Sequence, residues 1–326
     1  EVAERARRGR DRALPACPLM HGAAQWVSLA TLLGGGTVIL DAEMRLDARR
    51  LARLVAAERV SVITVVGDAV GRPLADALAE LGDDIDVTGV RVVINSGAFL
   101  SPPVKDALLG RLVGAVVYDT FGSSESGTFA RTVSGRGETP AQGRFMVSEH
   151  AAVLDEALVP VEPGSGRVGR LARSGGVALG YYNDPEKSAA TFPVIDGVRW
   201  CVTGDHATVE ADGTIVLLGR GSACINTGGE KVYPDEVEAA LKSHAGIADA
   251  MVVGLPDERF GERVVALVVA RAGGPPEDLD AHVRRLVAGY KAPRAVVAVD
   301  AIERYPSGKP DYAWGRTTAA ALLVVE

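Results

Sequence analysis

Between residues 202 and 238 the sequence VTGDHATVEADGTIVLLGRGSACINTGGEKVYPDEVE places a carboxylate (Asp205), a glycine-bounded arginine (Arg220) and a glycine pair (Gly228, Gly229) ahead of a helical pattern. A carboxylate in a TGD loop can accept from both hydroxyls of a ribose, each charge-assisted bond contributing roughly 1.5–3 kcal/mol. Downstream, PSGK at residues 306–309 presents Lys309 in a glycine-bearing loop. Upstream, YDTFGSSESG at residues 118–127 combines an aromatic ring, hydroxyls and carboxylates after a β-branched run. Taken singly, each motif is also ordinary structure: TGD and NTGG make turns, PSGK a solvated loop, and GSSES a turn after a strand. Their combination in this order points to nucleotide chemistry.

Other motifs fail on context. GSGRVG at residues 164–169 satisfies the dinucleotide fingerprint GxGxxG, but Pro160 and Pro163 precede it and Gly175 and Gly176 interrupt the stretch after it. The strand before and the helix after are therefore missing, and a glycine-rich turn is expected. The GK pair, Gly308 with Lys309, has Glu303 where a P-loop needs glycine. GSSES around Ser124 approaches the hydrolase elbow GxSxG, yet Ser126 takes the last glycine position, where the sharp turn accommodates a side chain poorly. The five histidines, at 21, 150, 206, 244 and 282, show no ligand spacing and read first as packing or surface residues.

The elements that must position these residues are set by hydrophobic period. Short β-branched runs alternate with helical patterns: TVIL (37–40), a helix over 47–59, SVITVV (61–66), a helix over 73–81, VRVVI (90–94), a helix over 102–112, and AVVY (115–118). Such alternation predicts a parallel sheet with crossover helices. From 144 to 218 short strands with glycine turns take over, among them RVGRLAR, RWCVTGD and TIVLLG, with Asp212-Gly213 as a hairpin signal. After Arg220 come a helix over 234–244, strands near 250–255 and 264–270, a helix over 277–288 and VVAV (296–299). The helix at Pro234 has acidic residues in its first turn, Lys242 and His244 in its last, and Gly246 beyond.

With these motifs in this order, the chain resembles the carboxylate-activating adenylating enzymes, the family of acyl-CoA synthetases, firefly-type luciferases and peptide-synthetase adenylation domains, over residues 18–309. The resemblance implies an α/β fold: a truncated N-terminal domain with a mostly parallel α/β sheet (1–143) and a small β-rich subdomain (144–221), then a smaller, mobile α+β C-terminal domain (222–326). It also implies roles. Gly97 and Ala98 in NSGAFLSPPVK would let the backbone approach adenine, Phe121 would stack near the base, and Asp119 would face its amino edge. Ser124 would contact the α-phosphate and Glu125 would hold Mg²⁺, which prefers a few carboxylates plus substrate phosphates. The family usually has tyrosine and threonine at the positions of Phe121 and Ser124; the aromatic face and the hydroxyl are kept.

The resemblance further assigns the ribose to Asp205, with Arg220 on ribose or phosphate, and a pantetheine tunnel to Gly228 and Gly229. Lys309 would bridge the substrate carboxylate and the α-phosphate, a donor of a kind that contributes about 10²–10³ in rate. The acyl pocket would draw on His21, Trp26, Val65 and Gly67. Ser222 stands where the family usually carries a charged hinge residue. The family's glycine-, serine- and threonine-rich phosphate loop, which should precede HG at 21–22, does not occur in these residues. The 326 residues alone are therefore expected not to adenylate. The wording GRGSACINTGGEKVYP is most similar to actinobacterial synthetases acting on fatty acids or steroid side chains.

At 326 residues the chain is long enough for two or three cores. Its 35 basic against 42 acidic residues, a net charge of −7, argue against broad binding to nucleic acid or anionic lipid. Cys17, Cys201 and Cys224 form no CxxC pair, so neither a disulfide framework nor a zinc site is implied, and a reducing cytoplasm fits. EVAERARRGRDR lacks an apolar stretch and no long apolar run comes after it, so neither secretion nor membrane spanning is expected. The expected activity is ATP-dependent acyl-CoA synthesis, with ATP/AMP, Mg²⁺ and coenzyme A bound, a small carboxylic acid as substrate, no nucleic-acid partner, and homo-oligomerisation open. An acyl-AMP ligase loading a carrier protein, a non-catalytic scaffold with AMP or CoA affinity, and a structural two-domain protein without a nucleotide site remain alternatives.

Overall fold

The computed structural model describes residues 11–43, 46–138, 144–147, 150–271, 273–305 and 308–323. It separates into two compact units, residues 1–141 and 142–326.

The first unit is a doubly wound sheet. Strands β1 (Arg12–Pro15), β2 (Thr37–Val38), β3 (Val62–Val65), β4 (Val92–Ser96) and β5 (Val116–Ser123) run parallel in the order β2-β1-β3-β4-β5, and β6 (Gly127–Ser134) pairs antiparallel with β5. Helices α1 (Gly22–Leu33), α2 (Ala48–Ala57), α3 (Gly67–Leu81) and α4 (Pro102–Arg111) make the crossovers. Asp47 caps α2 by accepting the Arg50 N–H at 3.0 Å. The helices bury Leu51, Val55, Leu74, Leu78 and Leu108 against Ile63, Val65, Val93 and Val117 of the sheet. Fully burying a side chain of this size stabilises by roughly 1.5–3 kcal/mol, and the packed layer holds the strand ends in place.

Two expectations for this unit are corrected. The helix predicted over 73–81 begins at Gly67, with Pro73 inside it. Proline favours a first helical position, but here tertiary anchors outweigh that signal: the Gly67 N–H donates to Asn95 Oδ1 at 2.8 Å, and Asp68 Oδ1 accepts the Ser101 N–H at 2.7 Å. The run at 118–127, expected as a loop, stays in β5 as far as Ser123 and turns only at residues 124–126.

The second unit holds two sheets. The first is antiparallel: β7 (Arg144–Val147), β8 (Ala151–Leu154), β9 (Gly169–Ser174), β10 (Val194–Ile195), β11 (Val198–Val209) and β12 (Ile215–Arg220), in the order β7-β12-β11-β9-β8 with β10 on β11, and with α5 (Pro185–Thr191) preceding β10. Asp212-Gly213 turns β11 into β12, Gly213 at φ +83° and Asp212 Oδ1 accepting the Thr214 N–H at 2.9 Å. GSGRVG leads through a turn into β9, with no helix after it.

The second sheet joins β13 (Ile225–Thr227), β14 (Glu230–Val232), β15 (Ile247–Asp257), β16 (Gly261–Ala270) and β17 (Ala295–Ala298), with β15 at an edge. Alternate residues of β15 and β16 pack on opposite faces. Val252, Val264 and Ala266 meet α6 (Pro234–Lys242) and α7 (Leu279–Leu286), whereas Met251, Val253 and Leu267 meet α8 (Tyr312–Leu323). The sequence pattern announces neither β1 nor α8. Proline closes the short RALP strand, and the stretch after Lys309 carries only a weak apolar stripe, whose Gly315 lies against the Met251 side chain.

Glu238 of α6 is almost fully buried, and burial, outweighing the attraction of Lys242, pushes its carboxyl up to about 7 from 4.5. The folded state thus holds this proton more tightly than the unfolded chain. Its stabilising contribution is complete below pH 4.5 and is lost as pH rises through about 7. Hydrogen exchange in β15 of the full-length protein should show this slope, and Glu238→Gln should flatten it. Identical slopes in the two proteins would refute the assignment.

Candidate active site

Doubly wound sheets bind ligands beyond the carboxyl ends of their strands, where the strand order reverses. Here the reversal lies between β1 and β3, so the chain leaves β1 through His21 and α1 in one direction and leaves β3 through Gly67 and α3 in the other. Cys17, Ala24, Val66, Val70 and Ala98 pack together at this point. Burial pushes the Cys17 thiol up to about 11, so it stays protonated near neutral pH and serves as apolar lining. His21 is half-buried at the head of α1, and the ring of Trp26, 40% exposed, lies over Gly22. Val65, expected in the acyl pocket, is instead fully buried in the main core. Successive side chains of a strand point to opposite faces, and it is Val66 that joins the group at the strand ends.

One buried side chain ties these ends together. Asn95 Nδ2 donates to Asp119 Oδ1 at 2.9 Å and to the Ala98 carbonyl at 3.0 Å, while its Oδ1 accepts the Gly67 N–H. Thr120 Oγ1 donates to the Asn95 carbonyl at 2.9 Å, and Lys105 of α4 reaches Asp119 Oδ2 at 2.5 Å with both side chains nearly buried. Four of the predicted residues, Gly67, Gly97, Ala98 and Asp119, thus lie on or beside one polar hub. Asn95, Lys105 and Asp68 were not singled out from the sequence. A polar residue ending the apolar run VRVVI was the available signal.

Beyond the hub, Phe121 sits 6.0 Å from the buried ring of Phe129, tilted by 31°. The hairpin turn after β5 leaves Ser124 exposed and Glu125 half-buried, and is closed by a 2.9 Å contact between the hydroxyls of Ser123 and Ser126. Gly122 is required there, because a Cβ would strike the Gly127 carbonyl.

In the second unit Asp205 and Arg220 face each other in register on β11 and β12, with Asp205 Oδ1 3.5 Å from Arg220 Nε. Asp205 lies inside a long strand rather than in the surface loop expected, and only 6% of it is exposed. The TGD segment is an irregularity in the β11 ladder: pairing to β9 shifts between Val202 and His206, and pairing to β12 shifts after His206. Such bulges re-aim side chains near functional sites. The Arg220 side chain is 63% exposed, so an exposed guanidinium stands beside a buried carboxylate.

Residues 221–223 form one 3₁₀ turn around Ser222, and Gly221 abuts the His206 ring, which lies 5.7 Å from that of Tyr233. Burial first, then Lys231 and Arg170, depresses the His206 pKa. Gly228 and Gly229 turn β13 into β14 at φ +61° and +86°. The Gly228 N–H donates to the Phe260 carbonyl at 2.8 Å, and the Phe260 ring carries Arg259 and Arg294 at 5.0 and 4.1 Å. Lys309 is exposed in the loop between β17 and α8; Pro306 and Ser307 of its motif lie outside the described residues. Among the described residues no group of three or more histidine, cysteine, aspartate or glutamate side chains is arranged to hold a metal. None of the described helices is long and apolar enough to cross a membrane.

The AMP-binding enzyme family model matches residues 1–182, and the model of the AMP-binding enzyme C-terminal domain matches residues 236–309. The chain belongs to the AMP-binding enzyme family. It is 46% identical over 309 residues to the 3-oxocholest-4-en-26-oate–CoA ligase of Rhodococcus rhodochrous, covering 93% of this chain and 55% of that protein. It is 43% identical over 310 residues to a medium/long-chain-fatty-acid–CoA/3-oxocholest-4-en-26-oate–CoA ligase of Mycobacterium marinum, covering 94% and 56%. The chain thus spans about half the length of the curated relatives it matches. Among solved structures, the amide bond synthetase McbA from Marinactinospora thermotolerans superposes with a TM-score of 0.80 at 30% identity, over 95% of this chain and 63% of that one.

The hub makes a prediction about two glycines. A Cβ on Gly67, at φ +55°, would lie 2.5 Å from the Phe99 carbonyl and 2.7 Å from Ala98 Cβ, whereas one on Gly97, at φ +81°, meets nothing nearer than Val66 at 3.9 Å. Both substitutions by alanine strain the backbone, costing about 1 kcal/mol, and Gly67→Ala adds a clash of about 1–3 kcal/mol. Thermal unfolding should rank Gly67→Ala clearly below Gly97→Ala, and equal midpoints would contradict the geometry.

Proposed function

We propose that the protein is an ATP-dependent acyl-CoA synthetase acting on fatty or steroid-derived carboxylic acids. The observation that carries this reading is the 43–46% identity, over more than nine-tenths of this chain, with CoA ligases for such acids. In the first half-reaction a carboxylate oxygen of the acid attacks the α-phosphorus of ATP, the bond to the β-phosphate breaks, and pyrophosphate leaves. In the second, the thiol of coenzyme A attacks the acyl carbon, the bond to AMP breaks, and the thiol proton passes to solvent.

The roles accord with the geometry. Gly97 and Ala98 give the adenine a close backbone approach, Phe121, backed by Phe129, offers it a ring face, and Asp119 is held by Asn95 and Lys105 to meet its amino edge. Asp205 accepts from the ribose hydroxyls and the exposed Arg220 closes on sugar or phosphate. Ser124 faces the α-phosphate. Glu125, half-buried on a pinned turn, suits Mg²⁺, which takes one or two carboxylates with substrate phosphates and would neutralise charge on them. Lys309 stabilises the charge that develops as pyrophosphate departs. Gly228 and Gly229 admit the pantetheine arm, His21, Trp26 and Gly67 border the acyl group, and residues 222–326 swing about Ser222 between the half-reactions. A cytoplasmic location accompanies this reading, since ATP and CoA are free there.

Carboxylate-dependent exchange of pyrophosphate into ATP should be measurable with the full-length protein. A folded preparation that shows none across short, long and steroid acids would sink the assignment. Adding CoA or an acyl carrier protein then separates a CoA ligase from a carrier-loading enzyme. Lys309→Ala should lower exchange by about 10²–10³ yet leave thioester formation from preformed acyl-AMP within a few-fold. Equal losses in both steps would give Lys309 a structural role instead.

A further inference from the structure

An exposed lysine is useful to a reaction only if its backbone is held, because misplacing a reacting group by about 1 Å costs about 10² in rate. The loop that carries Lys309 is tied on both sides. Before it, Arg304 pairs with Asp249 of β15 at 2.6 Å and donates to the Gly308 carbonyl at 3.2 Å, while the Tyr305 N–H donates to the Lys309 carbonyl at 2.9 Å. After it, Asp311 starts α8 by accepting the N–H groups of Ala313 and Trp314, both at 3.0 Å, and the Asp311 N–H donates to the Glu303 carbonyl.

Tyr312 then makes the longer-range tie. Its hydroxyl donates to Glu238 Oε1 at 3.1 Å, the oxygen that also accepts the Val252 N–H at 2.9 Å. β15 is an edge strand, so that N–H has no strand partner, and burying it requires an acceptor. Glu238 supplies one from α6, which covers one face of the sheet, and receives Tyr312 from α8, which covers the other. Lys242 Nζ stands 3.9 Å away on the same helix. A phenylalanine at 312 would fill the same apolar position. The hydroxyl adds a directional bond that sets the rotation of α8 three residues beyond Lys309.

We propose that Tyr312, through Glu238, and Arg304, through Asp249, are positioning residues that hold Lys309 for the adenylating half-reaction. The inference rests on the reading of Lys309 as the adenylating lysine. It separates a positioning role from mere support of the domain. If Lys309 acts only while pyrophosphate leaves, loosening its loop slows that step and spares the transfer of acyl-AMP to the thiol.

The test measures both half-reactions in the full-length protein for Tyr312→Phe, Arg304→Gln and, in parallel, Lys309→Ala. Tyr312→Phe should slow pyrophosphate exchange about fivefold to tenfold, the effect of one lost hydrogen bond, with thioester formation from preformed acyl-AMP within about twofold. Arg304→Gln should show the same asymmetry. Glu238→Gln, which keeps an acceptor oxygen, should retain more exchange than Glu238→Ala. If Lys309→Ala is asymmetric but Tyr312→Phe and Arg304→Gln leave exchange unchanged, or depress both steps equally, the positioning role is overturned. If Lys309→Ala itself is symmetric, the fault lies in the role given to Lys309. Should Tyr312→Phe fail to fold, Arg304→Gln decides by the same criterion.

Discussion

A carboxamide buried at the carboxyl end of a parallel sheet must satisfy its donors and its acceptor inside the protein, and Asn95 of β4 does so by joining α3, β5 and the loop after β4. Its acceptor takes the first N–H of α3, and its donors take Ala98 and Asp119. Each of those groups then loses freedom. The Asp119 carboxylate needs a compensating charge at such burial, and Lys105 on α4 supplies it. The close approach of α3 to the Ala98–Phe99 backbone leaves no room for a side chain at Gly67. Gly67, Ala98 and Asp119 are therefore tied to one another because one polar group had no solvent to turn to.

The second unit reaches the same end by other means. A long strand, β11, carries an irregular register on both sides of the TGD segment, which presents a buried Asp205 beside an exposed Arg220. Farther along, an edge strand is made safe by the carboxyl of Glu238, which also receives the helix after Lys309.

The family relationship and the physical reading support each other at different levels. Similarity to CoA ligases over half their length bears on which reaction is catalysed. Which side chains are held, and by what, comes from hydrogen bonds and burial. Val65 shows the difference: motif position assigned it to the pocket, whereas strand alternation turns it into the core and leaves Val66 with Cys17 and Ala24.

The order of nucleotide-related motifs, the alternation of β-branched runs with helices over residues 37–118, the Asp212-Gly213 hairpin and the helix at Pro234 with acidic residues in its first turn were legible in the residues themselves. Each rests on interactions within a few positions of the chain, namely side-chain period, turn conformation and capping. The start of α3 at Gly67, the placing of Asp205 inside a strand, the Asn95 hub and the Tyr312–Glu238 bond across 74 residues were not legible. Those were decided by the tertiary structure, because whether a polar group is buried, and which distant group then satisfies it, depends on partners that local sequence does not specify.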